Sequence, residues 1–175
     1  GCSDPISAGK AAKIFGQSNF HEININCGCP SNKVVNGNFG ACLMKKPKKV
    51  GEMIEAIKEY CNIPISVKTR IGLDNFDTDK FLEEFITELD NKKVTTVIIH
   101  ARIAVLKGLS PHENRIIPPL NYERVKFIKK SFKHMQIIIN GGIQNLNQAK
   151  HLLKDFDGSM IGRAAWDNPW MLSKA

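Results

Sequence analysis

The stretch Ile23-Asn24-Ile25-Asn26-Cys27-Gly28-Cys29-Pro30 joins the pattern of a strand to a loop that carries a thiol. Isoleucines alternate with asparagines, which is the two-residue period of a strand with two different faces. Gly28 and Pro30 then interrupt the pattern, so we expect Cys29 to lie in a loop just beyond the strand. Barrel and doubly wound enzymes keep their reactive groups at that position.

Strand and helix patterns alternate on both sides of this stretch. The apolar runs Val97-Ile98-Ile99 and Ile137-Ile138-Ile139 are continuous, which is typical of parallel strands buried on both faces. We predict strands at residues 21–27, 64–69, 95–101, 136–140 and 158–161. Helical spacing of apolar residues predicts helices at residues 4–15, 50–60, 78–89, 121–132 and 145–153. The alternation predicts an α/β fold, either an open doubly wound sheet or a (β/α)8 barrel.

Polar residues at the predicted strand ends favour the barrel, because side chains from many strands converge on one rim of a barrel enzyme. These residues are Lys68, Arg70, His100, Arg102, Asn140 and Arg163. Five predicted strands cannot close an eight-stranded barrel. We therefore expect residues 1–175 to be a single domain, an incomplete TIM barrel that lacks about the first three βα units.

Composition limits the class of protein. The chain is 42% hydrophobic, without a run of eighteen apolar residues or a signal-peptide pattern, so we expect no membrane partner. Five cysteines at irregular spacing argue against a disulfide framework and for a reducing compartment. The net charge of +8 indicates either solvated helix faces or a polyanionic partner such as nucleic acid. The clustered cations are Lys45, Lys46, Lys48, Lys49, Lys126, Lys129, Lys130 and Lys133, with Lys107 and Arg115 between them.

Two glycine turns follow the last two predicted strands. Asn140-Gly141-Gly142 and Gly162-Arg163 each open towards a helix, which is an arrangement that binds phosphate through backbone N–H groups. Two ordinary tight turns are the alternative. No Gly-x-Gly-x-x-Gly or Walker-type loop is present, so a Rossmann or P-loop interpretation finds no support.

The thiol of Cys29 has three possible roles. A zinc site is disfavoured because Cys27, Cys29 and Cys42 lack the usual two-plus-two ligand spacing, and we expect no metal. A nucleophile needs a neighbouring base, and none adjoins it in the sequence, which favours a general acid. Cys27 shares the apolar face of its strand with Ile23 and Ile25, so we expect it to pack in the core.

The polar strand ends allow more than one interpretation. Lys68 could hold the electron-rich pyrimidine edge of a flavin, form a Schiff base, or face solvent. His100 is expected at the rim or as a hydrogen-bonded core histidine. Arg70 and Arg102 are interpreted either as phosphate or carboxylate ligands or as ion-paired structural residues.

The ordered motifs of the chain resemble the flavin-dependent tRNA-dihydrouridine synthases, and most closely the bacterial A-type subgroup. The motifs are Asn26-Cys-Gly-Cys-Pro-Ser31, Asn36-Gly-Asn-Phe-Gly-Ala-Cys-Leu-Met44, Val67-Lys-Thr-Arg-Ile-Gly72, Ile99-His-Ala-Arg102, Leu106-Lys-Gly-Leu-Ser-Pro111, Asn114-Arg115, Pro118-Pro-Leu120, Asn140-Gly-Gly-Ile143 and Gly162-Arg-Ala-Ala165. The resemblance implies an FMN-binding TIM barrel followed by a helical domain that this chain does not contain. It also implies NADPH as electron donor, a tRNA partner, a monomer and a cytoplasmic or, with a targeting segment before Gly1, organellar location.

The same resemblance implies a role for each motif. Uridines 20 and 20a of the tRNA D-loop would be reduced at the C5=C6 bond, with hydride passing from FMN N5 to C6 and a proton from Cys29 to C5. Substrate contacts are expected from Asn26, Arg102, Lys107 and Arg115. The cofactor ligands are expected to be Lys68, His100, Asn140, Gly141, Gly142, Gly162 and Arg163.

Three other functions compete with this one. A small-molecule flavin oxidoreductase of the dihydroorotate or dihydropyrimidine dehydrogenase kind shares an Asn…Cys-Pro loop. A Schiff-base aldolase would use Lys68, and the chain could also be an inactive fragment that binds RNA.

Overall fold

Five parallel strands form one sheet in a computed structural model that describes residues 2–174. The strands are β1 (Ile23–Cys27), β2 (Ile65–Arg70), β3 (Thr96–His100), β4 (Gln136–Asn140) and β5 (Gly158–Met160). They lie side by side in chain order, and every neighbouring pair is parallel. The α/β class and the parallel sheet are thus as predicted, and the unbroken strand order is consistent with part of a TIM barrel.

The strand register separates the side chains into two faces. Cys27, Thr69, Ile99 and Ile139 are aligned across the sheet and are all fully buried. Because side chains alternate along a strand, the residues on either side of this row point to the opposite face. That second face carries Asn26, Lys68, Arg70, His100 and Asn140 near the carboxyl ends of the strands.

Helices connect successive strands and cover the apolar face. The longer ones are α1 (Pro5–Phe15), α3 (Pro47–Tyr60), α4 (Asp79–Asn91), α5 (Tyr122–Ser131) and α6 (Leu146–Leu152). The short helices are α2 (Asn32–Asn36) and α7 (Arg163–Asp167), with 3-10 turns at Gly40–Lys45, Glu113–Arg115 and Pro169–Lys174. Helix α1 packs on α3, α3 on α4, and α4 on α5. Their apolar sides form one core with the buried face of the sheet.

Side-chain caps fix where four of these helices begin. Asp4 accepts a hydrogen bond from Ser7 N, and Thr78, Asn121 and Asn145 cap α4, α5 and α6 in the same way. A cap of this kind stabilises a helix by about 0.5–2 kcal/mol. The predicted helices began at these cap residues, so their first helical residue comes one position later.

The remaining differences from the prediction are local. Helix α3 begins at Pro47 rather than at residue 50, because proline is compatible with the first turn of a helix. The predicted first strand began at residue 21, but regular pairing begins at Ile23. None of the helices in the described part of the chain is long and apolar enough to cross a membrane.

Candidate functional site

An open cavity of about 720 Å³ lies at the carboxyl ends of the strands, on the polar face of the sheet. Its lining comes from the ends of the strands and from the loops after β1, β3, β4 and β5, so residues distant in sequence line one space. The predicted site residues in its lining are Asn26, Cys29, Lys68, His100, Arg115, Asn140, Gly141, Gly142, Gly162 and Arg163. Most of the residues that the sequence predicted to contact a cofactor or the uracil base therefore line one cavity.

The loop that carries Cys29 is held by its own hydrogen bonds. The side-chain oxygen of Asn26 accepts from the backbone N–H of Gly28 at 3.0 Å and of Cys29 at 3.1 Å. The Cys29 carbonyl accepts from Ala41 N at 3.0 Å, which ties this loop to the turn Gly40–Lys45. The half-buried Cys29 thiol lies 3.4 Å from Ser31 Oγ and lines the cavity, whereas Cys27 is buried in the core as predicted.

The ammonium group of Lys68 is held by the side-chain amide of Asn140, which also donates to the neighbouring strand β5. Its Nζ donates to Asn140 Oδ1 at 3.1 Å, and Asn140 Nδ2 donates to the Met160 carbonyl at 2.8 Å. Burial and, to a smaller extent, the positive charge of Arg70 together lower the pKa of Lys68 to about 8. An anionic ligand at this position would favour the charged form of the lysine.

His100 faces the cavity as a neutral imidazole. Burial lowers its pKa to about 2, and the neighbouring charges of Arg70 and Lys68 act in the same direction. Its ring also lies against the turn after β4, because a Cβ placed on Gly141 would come within 2.6 Å of His100 Cδ2. The histidine can therefore donate one hydrogen bond and accept another without carrying charge at pH 7.

The two glycine turns line the cavity. Gly141 and Gly142 both have positive φ, +112° and +71°, a conformation that glycine adopts without strain. The N–H groups of Gly141, Gly142 and Gly162 donate to no other residue within 2–174. The Arg163 side chain approaches from the same side and donates to the Arg115 carbonyl at 3.2 Å.

Two predicted substrate residues do not line the cavity. Arg102 donates from Nη1 to the Pro118 carbonyl, in the connection between β3 and α5. Its Nε is buried without a partner among the described residues. Lys107 is exposed in the loop beyond β3. Neither arginine that sequence analysis left open, Arg70 or Arg102, is ion-paired within residues 2–174; both donate to backbone carbonyls.

Three residues that line or support the cavity, Arg70, Asp167 and Tyr122, received no definite role from the sequence. Arg70 lines the cavity two residues beyond Lys68, because the strand period places it on the same face, and it was expected among the polar strand ends. Asp167 is the one acid of the lining within the described chain. Tyr122 donates from its hydroxyl to the Gly141 carbonyl at 2.5 Å. No local pattern marks these last two, because their positions depend on how distant loops meet.

Two lysines of the cluster at residues 126–133 form local ion pairs. On α5, Lys126 pairs with Glu123 at 3.0 Å and Asp155 at 3.1 Å, and Lys129 pairs with Asp157 at 2.7 Å. These contacts favour a helix face with local ion pairs over a nucleic-acid surface for that cluster.

Within residues 2–174, no group of three or more His, Cys, Asp or Glu residues is arranged to hold a metal ion.

A parallel α/β fold with a cation-rich cavity at its carboxyl ends defines a ligand-binding protein of the barrel or open-sheet enzyme class. Comparison with known proteins gives the family. The family model described as dihydrouridine synthase (Dus) matches residues 1–175. The chain belongs to the dihydrouridine synthase family, as its motifs predicted.

Several curated relatives bear the name tRNA-dihydrouridine(20/20a) synthase. The one from Shewanella oneidensis is 48% identical over 174 residues, which cover 99% of this chain and 52% of the relative. The one from Pasteurella multocida is 48% identical over 98% of this chain and 53% of its own length. The one from Escherichia coli K12 is 47% identical, with 99% and 50% covered. The chain thus spans about half the length of the curated relatives it matches.

Proposed function

We propose that the protein to which this chain belongs reduces the C5=C6 bond of uridine 20 or 20a in the tRNA D-loop, with FMN as its resident cofactor. The observation that carries the proposal is the position of Cys29, whose thiol lines a cation-rich cavity at the strand ends. The family assignment and the names of the relatives support the same reaction.

The lining residues fit the chemistry of FMN. A cavity of about 720 Å³ lies within the range of about 300–1,000 Å³ that is common for ligand sites. The unpaired N–H groups of Gly141, Gly142 and Gly162, with the charge of Arg163, suit a phosphate dianion. Lys68 suits the electron-rich edge of the ring system, and its amide partner Asn140 would hold the ammonium in place.

The residues proposed to hold FMN are Lys68, His100, Asn140, Gly141, Gly142, Gly162 and Arg163. When bound, FMN supplies the hydride that reaches C6 of the uracil from N5. A neutral His100 can donate a hydrogen bond to the ring without adding a second positive charge beside Lys68. Lys68 retains a charge on binding because an electron-rich partner opposes the effect of burial on its pKa.

The protein's own proton chemistry centres on Cys29. Addition of hydride at C6 develops negative charge at C5 and on the C4 carbonyl, and a thiol proton placed near C5 neutralises it. Asn26 fixes the backbone on which the thiol stands through its bonds to Gly28 and Cys29. The target base must leave its stack in the folded tRNA to reach this thiol.

The remaining predicted residues are proposed to bind the rest of the tRNA. Arg115 lines the cavity and can contact the inserted nucleotide, while Lys107 lies outside it and can contact the phosphate backbone. Arg102 would act from behind the cavity wall through the loop that ends in Pro118.

We further propose that residues 1–175 are one part of the catalytic domain, a (β/α)8 barrel whose other three βα units lie outside this chain, with a helical domain following it. The five parallel neighbours in chain order and the half-length match to the relatives support this arrangement. NADPH as electron donor and a monomeric state are parts of the same proposal.

Substitution of Cys29 by alanine in the complete gene product tests the reaction. We expect the purified variant to remain yellow and reducible but to form dihydrouridine in tRNA about 10²–10⁴-fold more slowly, because the proton donor is gone. Dihydrouridine formation is measured by mass spectrometry of tRNA from a deletion strain after a timed incubation.

Cys42→Ala is the matched control, since Cys42 is also a half-buried free thiol but does not line the cavity. It should behave like the unaltered protein. Normal uridine reduction by Cys29→Ala would remove the acid role, and a colourless unaltered protein that recovers no flavin would remove FMN.

A further inference from the structure

Arg70 is a buried cation that no carboxylate of residues 2–174 neutralises. It is the last residue of β2, its exposed fraction is 4%, and it forms no ion pair with another residue in the 2–174 range. A buried charge is unfavourable unless hydrogen bonds compensate for lost water. The structure compensates Arg70 with three backbone carbonyls instead of an acid.

The three carbonyls belong to two loops, which follow the strands on either side of β2. Nε donates to the Gly28 carbonyl at 3.1 Å, in the loop after β1. Nη1 donates to the carbonyls of Ile103 at 2.9 Å and Asn114 at 2.8 Å, both in the connection after β3. One planar group therefore spans the two loops, and its rigid fork fixes the angle between them.

Each of these loops carries a residue that the proposed reaction uses. Gly28 immediately precedes Cys29, and Asn114 immediately precedes Arg115. Asn114 is itself fully buried and exchanges two hydrogen bonds with Val105, from Val105 N at 2.7 Å and to Val105 O at 2.8 Å. The carbonyls that Arg70 holds are thus parts of well-ordered segments, so a constraint on them is transmitted to the next residue.

We propose that Arg70 is a positioning residue, whose guanidinium sets the distance between the Cys29 thiol and the Arg115 side chain across the cavity; this role rests on the function proposed above. Arg70 does not transfer a proton or hydride. It holds the proton donor and a substrate contact in the relation that the inserted base requires.

The charge of Arg70 has a second effect that separates lysine from other replacements. Its positive charge contributes to the lowered pKa of both Lys68 and His100. A lysine at position 70 keeps a positive charge there but has one ammonium group in place of the fork, so it cannot reach both loops with the same geometry. Arg70→Lys therefore removes the bridge and keeps most of the electrostatics.

The test compares Arg70→Lys with the unaltered complete gene product by hydrogen exchange and by single turnover. Amides in residues 26–31 and 103–116 should both exchange about tenfold faster or more, while residues 141–148 stay unchanged. Uridine reduction by the chemically pre-reduced enzyme should fall about 100-fold at unchanged flavin content, because misplacement of reacting groups slows the chemical step.

Arg124→Lys is the control for loss of a well-bonded arginine. Arg124 binds Asp77 and Asp79 outside the cavity. Its replacement should affect exchange near those acids and leave single turnover unchanged. If Arg70→Lys does not fold, the unaltered protein serves: residues 26–31 and 103–116 should open together, with the same dependence of exchange on denaturant.

Faster exchange in one loop only, in neither loop, or equally in every segment overturns the positioning role, as does separate opening of the two loops in the unaltered protein. Failure of the proposed function is distinguishable, because an unaltered protein that reduces no uridine still gives the exchange result. Faster amide exchange in both loops of Arg70→Lys would then support the link that Arg70 makes between the loops, although the proposed reaction had failed.

Discussion

The loop after β1 and the glycine turns after β4 and β5 line the same cavity. They differ in whether their backbone N–H groups have hydrogen-bond partners within the protein. In the first loop, the amides of Gly28 and Cys29 are both bound by Asn26. In the turns, the amides of Gly141, Gly142 and Gly162 have no partner among the residues that the structure describes. Unbound donors in a folded protein are unfavourable unless water or a ligand satisfies them.

The difference indicates a division of labour between the two sides of the cavity. A reactive side chain such as Cys29 benefits from a backbone that the protein has already fixed. An anion site requires backbone N–H groups without partners inside the protein, and glycine allows the backbone conformation that provides them. Substitutions on the two sides should therefore fail in different ways.

Gly141→Ala should have the largest effect on stability, because it adds both backbone strain and a steric clash to the turn after β4. Its φ of +112° strains any other residue, and a Cβ there would lie 2.6 Å from His100 Cδ2. We expect a loss of about 2–5 kcal/mol in the free energy of unfolding, together with loss of bound flavin. Denaturant unfolding and flavin absorbance of the complete gene product measure both.

Gly108→Ala controls for the backbone strain alone. Gly108 has φ of +90°, and a Cβ there would meet no atom within 4 Å. Its variant should lose about 1–3 kcal/mol and keep its flavin. Equal losses for the two variants would show that contact with His100 contributes nothing at Gly141.

Lys68→Met should have an intermediate effect that depends on pH. The folded-state pKa of Lys68 is about 8, below its ordinary value of 10.5, so charge on this lysine destabilises the fold at neutral pH. That cost is fully present below pH 8 and is relieved as pH rises towards 10.5. The free energy of unfolding of the variant minus that of the unaltered protein should therefore fall by about 1–3 kcal/mol over this range.

Chemical denaturation of the flavin-free proteins at a series of pH values checks this difference. Lys92→Met is the control, because the carboxylate of Glu55 raises the pKa of Lys92 above 10.5. Its difference from the unaltered protein should stay flat between pH 7 and 10. A flat profile for Lys68→Met as well would contradict the lowered pKa.

Ser31→Ala should have the smallest effect, because it removes only a weak contact on the thiol side. Ser31 Oγ lies 3.4 Å from Cys29 Sγ, and a thiol is a poor hydrogen-bond donor. We expect less than about a threefold change in the rate of uridine reduction and about 0.5 kcal/mol or less in stability. A tenfold slower reaction would mean that Ser31 directs the thiol as strongly as the backbone does.

Local patterns predicted the parts of the molecule that local forces determine. The five strands followed from apolar runs between turn residues. Strand parity placed Cys27 in the core, and the interruption by Gly28 and Pro30 placed Cys29 in the loop beyond the strand. A glycine turn after the fourth strand was predicted from Asn140-Gly141-Gly142, and both glycines have positive φ.

The parts that sequence did not predict depend on partners far along the chain. The turn Gly40–Lys45 is held by a hydrogen bond from Ala41 N to the Cys29 carbonyl, which no helical period reveals. Arg102 was expected at the rim, but its guanidinium turns to Pro118, 16 residues away. Arg70 was interpreted either as a ligand or as an ion-paired residue, because its carbonyl partners depend on how two distant loops meet beside β2.

The outer strands of the sheet have a consequence for handling the chain by itself. Within residues 2–174, β1 pairs only with β2 and β5 only with β4, so each has an outer edge of unsatisfied ladder groups. Such edges recruit further strands from neighbouring molecules and promote aggregation. Residues 1–175 expressed alone would therefore tend to self-associate through β1 and β5, whereas strands added in cis at these edges would extend the sheet and keep the protein dispersed.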